Sequence, residues 1–172
     1  MRTFAIATLA ALVLSIGSLV SAGQALADEE FSGFAPRAMT GSCIFTRTEF
    51  SASVFAQQTT SMTFVNLGDG GSITFNQSVA GCVAGVFFGN AGNNTSGARV
   101  IMQVQLDGNN CAPLTTNGYV FANSDTDLSS HAVGFLCGTH VPVGTHKVQV
   151  QWGAGGGGEA VIFEHTLEVN HR

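Results

Sequence analysis

The sequence predicts an all-β chain: an antiparallel two-sheet sandwich, jelly-roll-like, of about eight to ten strands. Three observations predict it. From Ser42 onward, short segments rich in Phe, Val, Ile and Thr alternate with glycine and asparagine clusters, the grammar of strands and turns. Within the segments the apolar period is two. Val100, Met102, Val104 and Leu106 point one way, and Arg99, Gln103, Gln105 and Asp107 the other. No sustained helical period follows the N-terminal segment. One polar and one apolar face per strand mean antiparallel sheets solvated on one side. A single flat sheet would leave its apolar face wet, so two sheets must close on each other.

Taken in order, residues 1–27 are an address. Arg2 supplies the positive end, an apolar run extends from Phe4 to Val20, and Ala25-Leu26-Ala27 is a signal-peptidase site before Asp28-Glu29-Glu30. No cysteine follows the site to take a lipid, and no later segment is long and apolar enough to span a membrane as a helix. Cleavage removes 27 of the 172 residues and leaves 145, a length that buries a sizeable core. Residues 28–41 have no consistent period and read as a lead-in. Residues 42–172 read as one β-sandwich domain, with strands at 42–48, 51–57, 61–67, 71–77, 82–89, 98–107, 118–123, 131–137, 144–152 and 160–169. The last two read as a hairpin across the Gly153–Gly158 run. Pairing Val148 with Phe163 and Val150 with Val161 sets His146 opposite His165, both inward, the one place where the pattern brings two metal ligands together.

Composition excludes several functions. Only 10% of residues are charged, and six basic residues face eleven acidic ones. A nucleic-acid binder needs a basic footprint, and a polybasic membrane-surface protein does too. Losing Arg2 leaves five basic against eleven acidic residues, a net charge of −6. Hydrophobic residues at 45% rule out a disordered chain.

The four cysteines are Cys43, Cys82, Cys111 and Cys137. An even count without a Cys-x-x-Cys spacing, in an exported chain, predicts two disulfides. Three connectivities are open. Cys43–Cys82 with Cys111–Cys137 is the favoured one, because each pair joins neighbouring strands or a loop to the strand behind it.

Catalytic motifs are missing: no Gly-x-Ser-x-Gly, no His-Glu-x-x-His, no phosphate loop. The run at 153–158 spells Gly-x-Gly-x-x-Gly but joins two strand-like segments, whereas the dinucleotide fingerprint leads into a helix. Two weak metal candidates remain. One is the His146–His165 pair, too few ligands for tight zinc. The other is Asp125 and Asp127 in Asn123-Ser124-Asp125-Thr126-Asp127, with oxygens at alternating positions as a calcium loop has. Asx residues also cap turns, and the loop lacks the EF-hand glycine and distal glutamate. His131 near Asp127, with abundant serines, leaves a Ser-His-Asp arrangement open but unsupported. No cofactor and no enzyme activity are expected.

Three stretches, SMTFVNLGDGGSITFNQSVAGCVAGVFFGNA, ARVIMQVQLDG and VPVGTHKVQVQWGAGGGGEAVIFEHTLEV, resemble a loose group of exported bacterial β-sandwich proteins. The shared pattern is a Gly-Cys before a buried strand, a strand ending in Asp-Gly, and a Gly-Thr-His strand ending in Gln-Trp. It covers about residues 61–169. The resemblance implies the fold and export, and brings no activity with it.

Two function classes follow. The first is a non-catalytic structural or protein-interaction module of the periplasm or cell exterior, self-associating or docking a protein partner. The second is a carbohydrate-binding module. Sugar platforms favour Trp and Tyr, and against 13 Phe the chain has only Trp152 and Tyr119. Trp152 falls on the apolar side of its strand, so it is expected in the core; both rings exposed on one surface would favour the sugar reading.

Overall fold

The computed structural model describes residues 43–113, 118–123 and 128–172. The expected signal peptide (1–27) and lead-in (28–41) lie outside the described residues, as do Asp125 and Asp127. The described chain is all-β, with eleven strands in two antiparallel sheets: β1 (Arg47–Ser53), β2 (Gln57–Thr59), β3 (Val65–Asn66), β4 (Ser72–Gln77), β5 (Gly81–Asn93), β6 (Arg99–Leu106), β7 (Asn109–Asn110), β8 (Tyr119–Ala122), β9 (Ser129–Val141), β10 (Gly144–Gly155) and β11 (Ala160–His171). Among the described residues no helix is long and apolar enough to cross a membrane.

The first sheet runs β1-β11-β5-β9, with β2 extending the β1 edge beside β11. The second runs β3-β10-β6-β7, with β4 beside β10 and β8 beside β6. The chain crosses from one sheet to the other between β2 and β3, β4 and β5, β5 and β6, β8 and β9, β9 and β10, and β10 and β11. The core lies between them. Val83, Phe87, Ala91, Phe135, Ile162, Leu167 and Val169 face it from the first sheet. Ile73, Phe75, Val100, Met102, Val104, Val148, Val150 and Trp152 face it from the second. The expected two-way split of 98–107 is thus present: Val100, Met102, Val104 and Leu106 are buried, and Gln103 and Gln105 are not.

Three local differences have physical causes. The strands expected at 42–48 and 51–57 are one strand, β1, because its ladder to β11 is unbroken from Arg47↔His171 to Ser53↔His165. The strand expected at 61–67 shrinks to β3. Ser61 Oγ donates to the Thr63 carbonyl (2.7 Å) and accepts the Thr63 N–H (3.3 Å), a local turn that competes with the ladder. Gly153 of β10 passes beneath that turn: a Cβ there would meet the Ser61 and Thr63 carbonyl oxygens at 3.0 Å.

The third difference is the terminal hairpin, which does not form. β10 pairs with β6, β4 and β3, whereas β11 pairs with β1, β2 and β5. The glycine run crosses from one sheet to the other. Gly156, Gly157 and Gly158 have φ of 84°, 94° and 75°, a left-handed stretch that only glycine enters freely. Buried Asn93 holds the crossing by donating to the Gly157 carbonyl (3.1 Å) and the Arg99 carbonyl (3.3 Å). An alternating strand satisfies its apolar face equally well against a sequence neighbour in its own sheet or against the opposite sheet, and here both strands bury theirs across the sandwich.

Candidate functional site

His146 and His165 are both buried, as expected, but in different sheets and with different partners. The expected pair is not assembled, and no group of three or more His, Cys, Asp or Glu side chains among the described residues is arranged to hold a metal.

His146 Nδ1 lies 2.7 Å from Asp107 Oδ2, and its Nε2 lies 3.0 Å from the Pro142 carbonyl. Both neighbours are acceptors, so the setting favours the imidazolium, in which both ring nitrogens donate. Burial alone pushes its pKa down, but the bonds to Asp107 and Pro142 outweigh that and raise it. Asp107 shifts the opposite way. Its burial penalty is overcome by the bonds from His146 and the Lys147 N–H, and its pKa falls. The pair clamps a turn. Asp107 and Gly108 both have positive φ (50° and 83°), the geometry that Asp-Gly favours in a two-residue hairpin, and it folds β7 back on β6 with Leu106↔Asn109.

His165 is different. Its Nε2 donates to the Asp69 carbonyl at 2.7 Å. Gln57 Nε2 donates to the same oxygen at 2.7 Å. His165 Nδ1 is buried with no hydrogen-bond partner among the described residues. A neutral ring fits this setting, and burial lowers its pKa despite the Asp69 carbonyl.

The two histidines therefore act on stability in opposite directions. His146, with its raised folded pKa, contributes fully below the unfolded value of about 6.5 and loses that contribution as pH rises through its folded pKa. His165, with its lowered folded pKa, costs stability as pH falls below about 6.5, because the unfolded chain binds the proton first. We expect His146→Gln to show a larger deficit against wild type at pH 6 than at pH 8.5. Half-exposed Asp107 keeps that difference within about 1 kcal/mol. His165→Gln should gain on wild type as pH falls from 7 to 5. Urea titrations across that range test both, and profiles parallel to wild type would overturn them.

A groove of about 400 Å³ opens on the outer face of the first sheet. Its walls are Phe88 and Asn90 of β5, Ser130 and Ala132 of β9, and Glu164 of β11. Register continues this face beyond the groove: Ala52, Thr166, Phe88 and Ala132 form one row across four strands, and Phe50, Glu168, Val86 and Gly134 the next. Phe50 is 65% exposed and Phe88 42%. Ser130 Oγ donates to Asn90 Oδ1 at 2.6 Å. Glu164 sits at a bulge between Phe163 and His165, with φ 30°, a sparsely allowed conformation for a residue with a Cβ. Such a bulge re-aims side chains. Before it Ala160 and Ile162 face the core; after it His165, Leu167 and Val169 do. The expectation that Val161 and Phe163 face inward is corrected accordingly: both are half-buried, and Phe163 is the register partner of Asn90 on the outer side.

Sequence reasoning missed this groove. Its only local signal is that Ile162 and Leu167, both fully buried, are an odd number of residues apart, which no regular strand places on one face. The Ser-His contact left open by the sequence exists as Ser129 Oγ and His131 Nε2, 2.7 Å apart. The two are same-face neighbours along β9, which is sufficient reason for their contact. Trp152 is buried and Tyr119 half-buried with its hydroxyl inside, which pushes the phenol pKa up. The ring platform that would have favoured sugar binding is not formed by these two residues.

The cysteines pair as Cys43–Cys82 and Cys111–Cys137. The second joins the end of β7 in one sheet to β9 in the other, beside the Ala112↔Leu136 bridge.

No protein-family model and no curated protein matches the chain. Solved structures with similar folds include a family 35 carbohydrate-binding module from Clostridium thermocellum (14% identity, 74% of this chain and 100% of that one, TM-score 0.39). The CBM36-1 domain of a xylanase from the hindgut metagenome of Trinervitermes trinervoides is another (9% identity, 73% and 98%, TM-score 0.38). A third is the VP2 subviral particle of infectious bursal disease virus (11% identity, 73% and 33%, TM-score 0.43), of which this chain spans about a third.

Proposed function

We propose that this chain is an exported, non-catalytic interaction module that docks a partner protein on the outer face of its first sheet. The observation that carries the reading is the exposure of two large rings on that face, Phe88 beside half-buried Val86 on β5 and Phe50 on β1, with Thr166 and Glu168 of β11 between the two strands. Exposed aromatic rings on one sheet face, rimmed by polar and acidic side chains, fit a surface that a partner covers. Its charged groups are Glu164 and Glu168, and the rows described above contain no lysine or arginine. A second copy using the same face would bring like charges together. The complementary occupant is therefore a protein segment with an apolar centre and a Lys/Arg rim. Export is supported by the Ala25-Leu26-Ala27 site, by the two disulfides, which persist in oxidising compartments, and by the resemblance to exported β-sandwich proteins.

A photo-crosslinking amino acid at Phe88, in the full exported protein in the cells that make it, tests the reading. The expected result is one adduct of defined mass that disappears in a Glu164→Lys/Glu168→Lys background, while a crosslinker at Thr74 on the other sheet gives none. An adduct of two copies of this chain would replace the partner by self-association. No adduct, or one indifferent to the charge reversal, would overturn the proposal.

A further inference from the structure

The outer face of the second sheet carries a different chemistry. Gln105 Nε2 donates to Asn110 Oδ1 (2.9 Å), Asn110 Nδ2 to Gln103 Oε1 (3.4 Å), Gln103 Nε2 to Gln151 Oε1 (2.6 Å), and Gln151 Nε2 to Asn66 Oδ1 (2.9 Å). Five amides thus run in one donor-to-acceptor direction across β7, β6, β10 and β3. Register puts them there: Gln103 opposes Gln151, Gln151 opposes Asn66, and Gln105 opposes Asn110. The Asp107-Gly108 turn clamped by His146 brings Asn110 into the line.

From this arrangement we propose that the amide row is a binding surface for a neutral glycan chain laid across β6 and β10. Each interior amide spends one N–H and one lone pair on its neighbours and keeps one of each for a ligand. A hydroxyl is both donor and acceptor and can continue such a chain. A carboxylate, phosphate or sulfate only accepts, and an ammonium only donates. The five linked side chains carry no charge. A polyhydroxylated neutral ligand is the class that matches them.

Stability alone is a poor reason for the row. Ordering long glutamine side chains costs rotamer freedom comparable to what a solvent-exposed hydrogen bond returns, and threonine would serve an exposed strand better. What the row provides is preorganisation. The side chains are already held in one geometry, so a ligand need not order them. No aromatic side chain belongs to the chain of amides, so binding rests on hydrogen bonds and is expected to be weak for a single short oligosaccharide and stronger for a polymer. The surface is on the opposite sheet from the protein-docking face and is independent of it.

The experiment is an array of neutral gluco-, manno- and xylo-oligosaccharides and anionic glycans, probed with the disulfide-bonded mature protein. It is followed by NMR titration of the best binder. The expected result is selective neutral-glycan binding with amide shifts at Gln103, Gln105 and Gln151. Gln103→Ala/Gln151→Ala should weaken it at least tenfold with the melting temperature of wild type. Should that variant not fold, Gln151→Glu, which keeps the shape and removes the N–H donors, should give the same loss. Phe50→Asp should leave it unchanged. No glycan bound, anionic glycans alone, equal binding by the Gln variants, or shifts confined to the Phe88–Asn90 groove would each overturn the proposal.

Discussion

Trp152→Ala is expected to lower the unfolding free energy by about 3–5 kcal/mol, the range for removing a large aromatic ring from a packed core. The ring is only 2% exposed. It stands on β10 between Met102 of β6 and Val65 of β3. Its inner neighbours Val150 and Ala154 are fully buried, so little can move in to fill the space. A melting-temperature drop of roughly 10–20 °C follows for a domain of this size. The control is Phe50→Ala, an exposed aromatic whose loss should stay within about 0.5 kcal/mol. Equilibrium urea unfolding at constant m-value decides it. A Trp152→Ala effect no larger than that of Phe50→Ala would mean the indole is not in the core.

Removing the Cys111–Cys137 disulfide as a double alanine variant should cost about 3.5 kcal/mol, and Cys43–Cys82 about 4 kcal/mol, in the chain-entropy picture. The sequence separations they span are 26 and 39 residues. The Cys111–Cys137 loss should be the more local. It ties β9 to the end of β7 across the sandwich, at a margin where the Ala112↔Leu136 bridge also links those segments. Hydrogen exchange should therefore show β9 opening first in that variant. In the exported wild-type protein, thiol titration under unfolding, unreduced conditions should find no free thiol, and N-terminal sequencing should begin at Asp28. Two or four free thiols would remove the disulfides from the account, and residues before Asp28 would remove the cleavage site.

The strands and the inward set were legible because side-chain alternation is a local property. Val100, Met102, Val104 and Leu106 read as one face before any partner is known. The favoured cysteine pairing followed from the same placement of strands. His146 and His165 were likewise legible as buried, and illegible as a pair. Where polar and apolar residues alternate cleanly, the face a residue takes is written in its own strand. Which strand lies beside it is not.

The groove shows a second limit. Ala160, Val161, Ile162 and Phe163 are all apolar, so either alternate pair satisfies an inward pattern. Phe163 and Leu167 are in phase, and so are Ile162 and Ala160, but the two choices disagree by one residue. The sequence alone determined an all-β chain with inward and outward sets and an even cysteine count that predicted two disulfides. The tertiary structure decided that β10 and β11 separate into opposite sheets, that the glycine run crosses between them, and that Glu164 absorbs the phase conflict as a bulge. The reason is that burial of an apolar face rewards any dry surface equally. The choice among surfaces is made by the whole set of strands competing for the two sides of one core, where Ile162, Leu167 and Trp152 must all fit at once.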